Sequence, residues 1–203
     1  MKKSKFFILL IAIIFASCGH SVKTNENSRE LAKDTLQTEQ VEMTEFQQYL
    51  SHFPKKDLPI IIYCTSSEFL YSFKENEFPN YNEGFSDAFA QIQTNGNYLA
   101  TIIMAYTDCN VPVLTTYTYD GKVIDSKEIF ISDGIDIGYS AIVSTTINKD
   151  FTIYVSDSVA TYDVDTISGE EIEGTRKEYV LYQEGKLLPT GKIELAEIQK
   201  KVI

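Results

Sequence analysis

What most constrains this chain is a series of short turn signals, each set between apolar runs of strand character. Asn95-Gly96 separates residues 88–94 from 97–106, and Asp120-Gly121 separates 113–119 from 122–131. Such pairs favour a two-residue hairpin, because a type I′ turn needs positive φ at both central positions. Asn148-Lys149-Asp150 separates 139–147 from 151–159, and Glu184-Gly185 separates 175–182 from 186–193. Around the third turn the two-residue period is explicit. Tyr139, Ala141, Val143, Thr145 and Ile147 alternate on one side, and Phe151, Ile153, Val155, Asp157 and Val159 on the other. Val113, Thr115, Tyr117 and Tyr119 share a face in the same way. Residues 58–63 (LPIIIY) form a compact apolar run, and 98–106 (YLATIIMAY) is so uniformly apolar that it predicts a central strand.

One segment has the helical period instead. Phe46, Tyr49, Leu50 and Phe53 fall at i, i+3, i+4 and i+7. Thr44 followed by Gln47 fits a capping box, and Pro54 stops the helix. His52 lies in its last turn, where the helix dipole favours it. Residues 194–203 are expected to form a short helix or to fray. Hairpins joined in succession imply antiparallel neighbours. The predicted fold is therefore mainly β, an antiparallel meander sheet or sandwich of about ten strands with one short N-terminal helix. An open barrel and a partial propeller fit the same pattern. Tyr117–Lys122 and Tyr179–Lys186 echo one another, each an aromatic strand followed by acid-Gly and Lys, but two copies are too few for a repeat protein.

The chain begins Met1-Lys2-Lys3-Ser4-Lys5, followed by eleven uncharged apolar residues, 6–16. That run is too short to span a hydrocarbon core, which takes about 20 residues, and reads as an export signal. Phe15-Ala16-Ser17-Cys18, followed by Gly19, resembles the lipobox of bacterial lipoproteins, with Phe15 in place of the usual Leu. The resemblance implies that residues 1–17 are removed and that Cys18 receives a diacylglycerol on its thiol and a third acyl chain on its amine. Stable anchoring needs two or more chains, which this modification supplies. The alternative is an ordinary secretory signal with a chance cysteine. Family sorting rules make Gly19, in place of Asp, a sign of the outer membrane. Residues 19–23 (GHSVK) hold no acidic cluster, which favours the periplasmic face over surface display. The later phrases Tyr119-Asp120-Gly121-Lys122 and Lys149-Asp150-Phe151-Thr152-Ile153 resemble those of β-rich envelope lipoproteins of unknown function, and imply no activity. Residues 19–41 are polar and lack aromatic side chains, so they cannot fold alone. The expected organisation is a signal peptide (1–17), a lipidated flexible tether (18–42) and a single β-rich domain (43–203).

The chain has 29 acidic and 18 basic residues, a formal charge of −11. Loss of Lys2, Lys3 and Lys5 with the signal makes the remainder more negative still. That balance argues against nucleic acid and against adhesion to anionic lipid by charge. With Cys18 acylated, Cys64 and Cys109 remain. In an oxidising compartment an even pair suggests a disulfide, closing a loop of about 45 residues for roughly 3–4 kcal/mol. Two separate buried cysteines are the alternative.

Catalytic sets are thin. His20 lies in the tether and His52 is the only histidine of the domain, so any Ser-His-Asp arrangement depends on it. The sequence contains no Gly-x-Ser-x-Gly, His-Glu-x-x-His or Cys-x-x-Cys motif and no glycine-rich phosphate loop. No cofactor is implied. The one weak metal candidate is calcium on Asp157, Asp163 and Asp165. Asp163 opens a stretch like an EF-hand loop, which then fails at Ile167 and Ser168; the ordinary reading is a solvated charged connection. Asp133 and Asp136 are a second acidic pair. Carboxylate pairs for glycoside hydrolysis are available among so many acids. Trp is absent, although thirteen tyrosines supply aromatic surface. The expected function is thus a lipid-anchored, non-catalytic module of the cell envelope that binds a protein or a glycan. The alternatives are an acidic inhibitor or immunity-type lipoprotein that captures a basic enzyme, and a carboxylate-based hydrolase.

Overall fold

The computed structural model describes residues 42–203 apart from 70, 83, 108 and 133–135. The chain divides into two units, Met1–Gln40 and Val41–Ile203. The expectations on the signal, Cys18, His20 and tether residues 18–41 lie outside the described residues, and so does Asp133.

The capping box forms as its spacing predicts and starts helix α1 (Glu45–Ser51). The Gln47 N–H donates to Thr44 Oγ1 at 3.2 Å, and the Thr44 N–H donates to Gln47 Oε1 at 2.9 Å. Two backbone donors that the first helical turn leaves free are thereby satisfied. The apolar side of α1 buries Phe46 and Tyr49, with Phe53 just beyond its end.

Twelve strands follow among the described residues: β1 (Lys55–Lys56), β2 (Ile60–Tyr63), β3 (Tyr71–Phe73), β4 (Ser86–Ile92), β5 (Leu99–Tyr106), β6 (Asn110–Tyr117), β7 (Val123–Glu128), β8 (Tyr139–Ile147), β9 (Thr152–Thr161), β10 (Lys177–Leu187), β11 (Ile193–Leu195) and β12 (Gln199–Val202). They form two six-stranded sheets. The first runs β1-β4-β5-β6-β7 with β3 also on β4, and the second runs β11-β10-β9-β8-β2 with β12 also on β10. Every pairing is antiparallel except β1 with β4. The mainly β, antiparallel fold expected from the turn signals is the one observed.

The inward rows of the two sheets share one core, with Ile102, Met104 and Leu114 of the first sheet and Ile147, Ile153 and Val155 of the second. This makes the domain a sandwich. Helix α1 covers the other face of the first sheet, where Phe46, Tyr49 and Phe53 pack with Phe73 and Tyr117. The centre of that sheet is therefore covered on both faces, which is why the uniformly apolar run of β5 becomes a central strand. One side of the sandwich is closed by hydrogen bonds between sheets. Thr116 Oγ1 donates to the Gly191 carbonyl at 2.7 Å, and the Ile193 N–H donates to Asp125 Oδ2 at 3.0 Å.

Three hairpins share one turn geometry. The N–H groups of Thr118, Asn148 and Leu188 donate to the carbonyls of Lys122, Thr152 and Lys192 at 2.8, 2.9 and 2.8 Å. Those of Gly121, Phe151 and Gly191 donate back to Thr118, Asn148 and Leu188 at 3.0, 2.9 and 2.9 Å. The fourth residue of each turn is left-handed, with φ of 90°, 64° and 84°. Each is a three-residue connection with one positive φ, the next most common hairpin loop after the two-residue type. The two-residue type I′ turn expected at Asp120-Gly121 is thus not formed, because Asp120 has no positive φ and Tyr119 joins the loop.

Several local elements differ from those the sequence predicts. The fourth hairpin does not turn at Glu184-Gly185, because Gly185 lies inside β10 and the chain reverses at 188–192. Gly185 is there for proximity: a Cβ would lie 2.5 Å from the Glu194 carbonyl oxygen of β11. Neither Asn95 nor Gly96 has positive φ, and residues 93–98 form a wider loop closed by Thr94 Oγ1 donating to the Tyr98 carbonyl at 2.6 Å. The C-terminal segment forms β11 and β12 rather than a helix, since the edge of β10 offers it backbone partners.

Candidate functional site

The two sheets differ in what covers their outer faces. The first lies under α1; the outer face of the second stays open among the described residues. Strand periodicity and register define that face. In β2, Ile60 and Ile62 point into the core, while Ile61 and Tyr63 are 52% and 51% exposed. The middle row runs Tyr63, Ser144, Ser156, Tyr182 and Gln199 across β2, β8, β9, β10 and β12. A row to one side runs Ile61, Thr146, Tyr154 and Glu184, and a row to the other runs Ile142, Ser158, Val180 and Lys201. Ile142 is 71% exposed.

The face is built from rings, methyls and hydroxyls. The Tyr154 and Tyr182 rings are near-parallel at 29°, with centroids 6.2 Å apart. Tyr182 is oriented by its hydroxyl, which donates to Gln199 Oε1 at 2.5 Å. Ser144 and Ser156 share a hydrogen bond of 3.1 Å between their Oγ atoms, leaving further donor and acceptor capacity toward solvent. In these three rows the charged residues are Glu184 and Lys201, of opposite sign and both on the β10–β12 side. Tyrosine gives large, rigid, amphipathic contact area at small entropic cost, and serine gives adaptable hydrogen bonding.

Beside this face, along the outer edge of β2, lies a groove of about 680 Å³. Phe89 is in its lining, and the Lys56 ammonium sits 3.8 Å from that ring's centroid and 3.8 Å from Glu68 Oε2.

Cys64 and Cys109 form a disulfide with Cα atoms 5.0 Å apart. It ties the end of β2 to the β5–β6 turn, and so joins the two sheets.

The calcium candidate is not assembled. Asp157 lies on the inward face of β9, fully buried. One carboxylate oxygen accepts from Ser132 Oγ, and the other has no partner. Burial pushes this carboxyl above the ordinary aspartate range, and the Ser132 hydroxyl opposes the rise. Asp163 and Asp165 lie in the exposed connection to β10 instead. Asp165 Oδ1 accepts from the N–H groups of Ile167 and Ser168 at 2.9 and 2.7 Å, which hold its carboxyl low. Among the described residues no three His, Cys, Asp or Glu side chains gather to hold a metal ion. Even spacing in sequence fails here because the strand period sends Asp157 inward while the loop carries the other two outward.

Asp136 accepts from the Ile137 N–H at 2.7 Å within its own turn. His52 stacks on Tyr71 with ring centroids 3.8 Å apart, and the Tyr71 hydroxyl donates to Glu77. Glu77 also accepts from the Lys74 N–H at 2.9 Å, and these bonds hold its carboxyl below the usual range. A second buried acid carried no sequence signal: Asp87 accepts from Ser72 Oγ at 2.5 Å and the Tyr106 hydroxyl at 2.6 Å. The open face itself was implicit in the sequence, because Ser144, Tyr154 and Ser156 fall between the apolar positions that mark the inner rows.

Among the described residues no helix is long and apolar enough to cross a membrane. Comparison with family models, with curated proteins and with solved structures found no match to this chain.

Proposed function

We propose that this protein is a lipid-anchored, non-catalytic binding module of the cell envelope, which holds an envelope component on the open face of its second sheet. The observation that carries this reading is the contrast between the two outer faces. One is sealed by α1, while the other presents Ile61, Tyr63, Ile142 and Tyr154 to solvent in ordered register. A contiguous exposed patch of this kind marks an interaction site more often than scattered apolar residues do. The N-terminal pattern ending in Cys18 supports an acyl anchor, and the polar stretch that follows supports a tether holding the domain off the outer membrane toward the periplasm.

The test is site-specific photo-crosslinking of the acylated protein in its own envelope. One probe replaces Ser156 in the middle of the face, and a control probe replaces Ile167 in the exposed connection between β9 and β10. The reading expects an adduct from Ser156 and none from Ile167. Equal labelling from both positions, or none from either, overturns it. Replacing Cys18 with Ser should release the protein from the membrane fraction; retention would remove the anchor from the proposal.

A further inference from the structure

We infer that the ligand of this open face is an uncharged glycan chain lying across the strands, stacked on Tyr63 at one end and on the Tyr154–Tyr182 pair at the other. The inference rests on the reading of this face as the binding surface. Tyr63 and Tyr182 occupy the same row, three strand spacings apart. At about 4.8 Å per spacing they stand roughly 14 Å apart, a reach that a short run of linked pyranose rings covers. Between them lie the Ser144 and Ser156 hydroxyls, bonded at 3.1 Å and still able to donate and accept. A sugar ring has the matching chemistry: an apolar C–H face to lay on an aromatic ring, and hydroxyls around its rim.

Charge selects among ligands. The chain carries −11 overall, yet the three rows of this face hold one acid and one base. A near-neutral patch gives a charged ligand of either sign no complementary charges at the contact, and the acidic remainder of the surface also repels a polyanion. A neutral ligand meets neither effect. Shape selects further. Small molecules are taken by concave sites, whereas an open sheet face suits an extended polymer. The Tyr182 ring is oriented in advance by its bond to Gln199, which lowers the ordering cost of contact.

The experiment is affinity electrophoresis of the full acylated protein in detergent. The gels contain a neutral α-glucan, β-glucan, mannan or galactan, with polygalacturonate as a polyanion control. At least one neutral polymer should retard the protein, and polygalacturonate should not. Tyr63→Ala and Tyr182→Ala should each weaken that retardation about tenfold, the effect of removing an aromatic hot spot. Ile167→Ala should leave it unchanged, and circular dichroism should show all three variants folded. Ser144→Ala with Ser156→Ala should weaken binding while keeping both tyrosines, so the result does not hang on one edge-strand substitution. No retardation by any neutral polymer, or retardation indifferent to the tyrosines, overturns the glycan. If the Ser156 crosslink then runs to a protein, the binding face stands and the glycan alone falls. If neither crosslink nor retardation occurs, both fall.

Discussion

Asp157→Asn should make this protein more stable at neutral and alkaline pH. Asp157 is fully buried between the inward rows of β8 and β10, opposite Val143 and Leu181. One oxygen is held by Ser132 and the other has no partner. An unsatisfied buried polar atom costs about 1–3 kcal/mol, and more when the group is charged. Burial raises the folded-state pKa above the unfolded value of about 3.9. A raised acid pKa means that the native state is favoured most when the group is protonated, below about pH 3.9, and that this advantage is lost as pH climbs through the folded value. Asparagine keeps an oxygen for Ser132 and carries no charge; its amide nitrogen takes the place of the unpartnered oxygen, so the gain comes from removing the buried charge and not from satisfying that atom. The variant should therefore gain roughly 1–3 kcal/mol at high pH. For a domain of this size each kcal/mol corresponds to roughly 2–4 °C in Tm. The gain should shrink toward zero near the ordinary carboxyl range. Urea denaturation of both proteins across that pH span measures it. A variant no more stable than the parent at alkaline pH, or a difference that does not change with pH, would refute the reasoning.

Other expectations follow from single features. Removing the bridge by Cys64→Ser with Cys109→Ser frees a 45-residue separation in the unfolded chain and should cost roughly 3–4 kcal/mol, seen as a lower urea midpoint than that of the oxidised parent. Gly191→Ala places a Cβ 2.9 Å from Ile124 Cδ1 at a φ of 84° and should cost about 1–3 kcal/mol by the same assay. Gly84→Ala, with open space around its Cβ, should be nearly silent. Thr44→Ala removes the hydroxyl that accepts from the Gln47 N–H, while its own backbone N–H can still donate to Gln47, and should cost about 1 kcal/mol, detectable as a Tm decrease in calorimetry.

The amino-acid order alone determined the local events. The capping box at Thr44 and Gln47, the left-handed turn position at Gly121 and the inward alternation of β8 and β9 all act over a few residues, where sterics and hydrogen bonding leave few choices. It missed Gly185, because what that glycine accommodates is the backbone of β11, which is brought close only by pairing. Nor does periodicity say where an apolar run will sit. LPIIIY and YLATIIMAY look alike in sequence, yet β2 is an edge strand with alternate residues in water and β5 is buried on both sides. The pairing of Ile60 with Ile147 spans more than half of the domain. Closing a longer loop adds little further entropy cost, so the chain order discriminates poorly among distant partners until whole faces dock. The same docking placed α1 on the first sheet and left the second open, and it brought the Cys64 and Cys109 Cα atoms to 5.0 Å. The sequence thus determined which side chains can share a face, while the tertiary structure decided which face meets solvent, because that choice depends on the competing burial of every apolar surface in the domain at once.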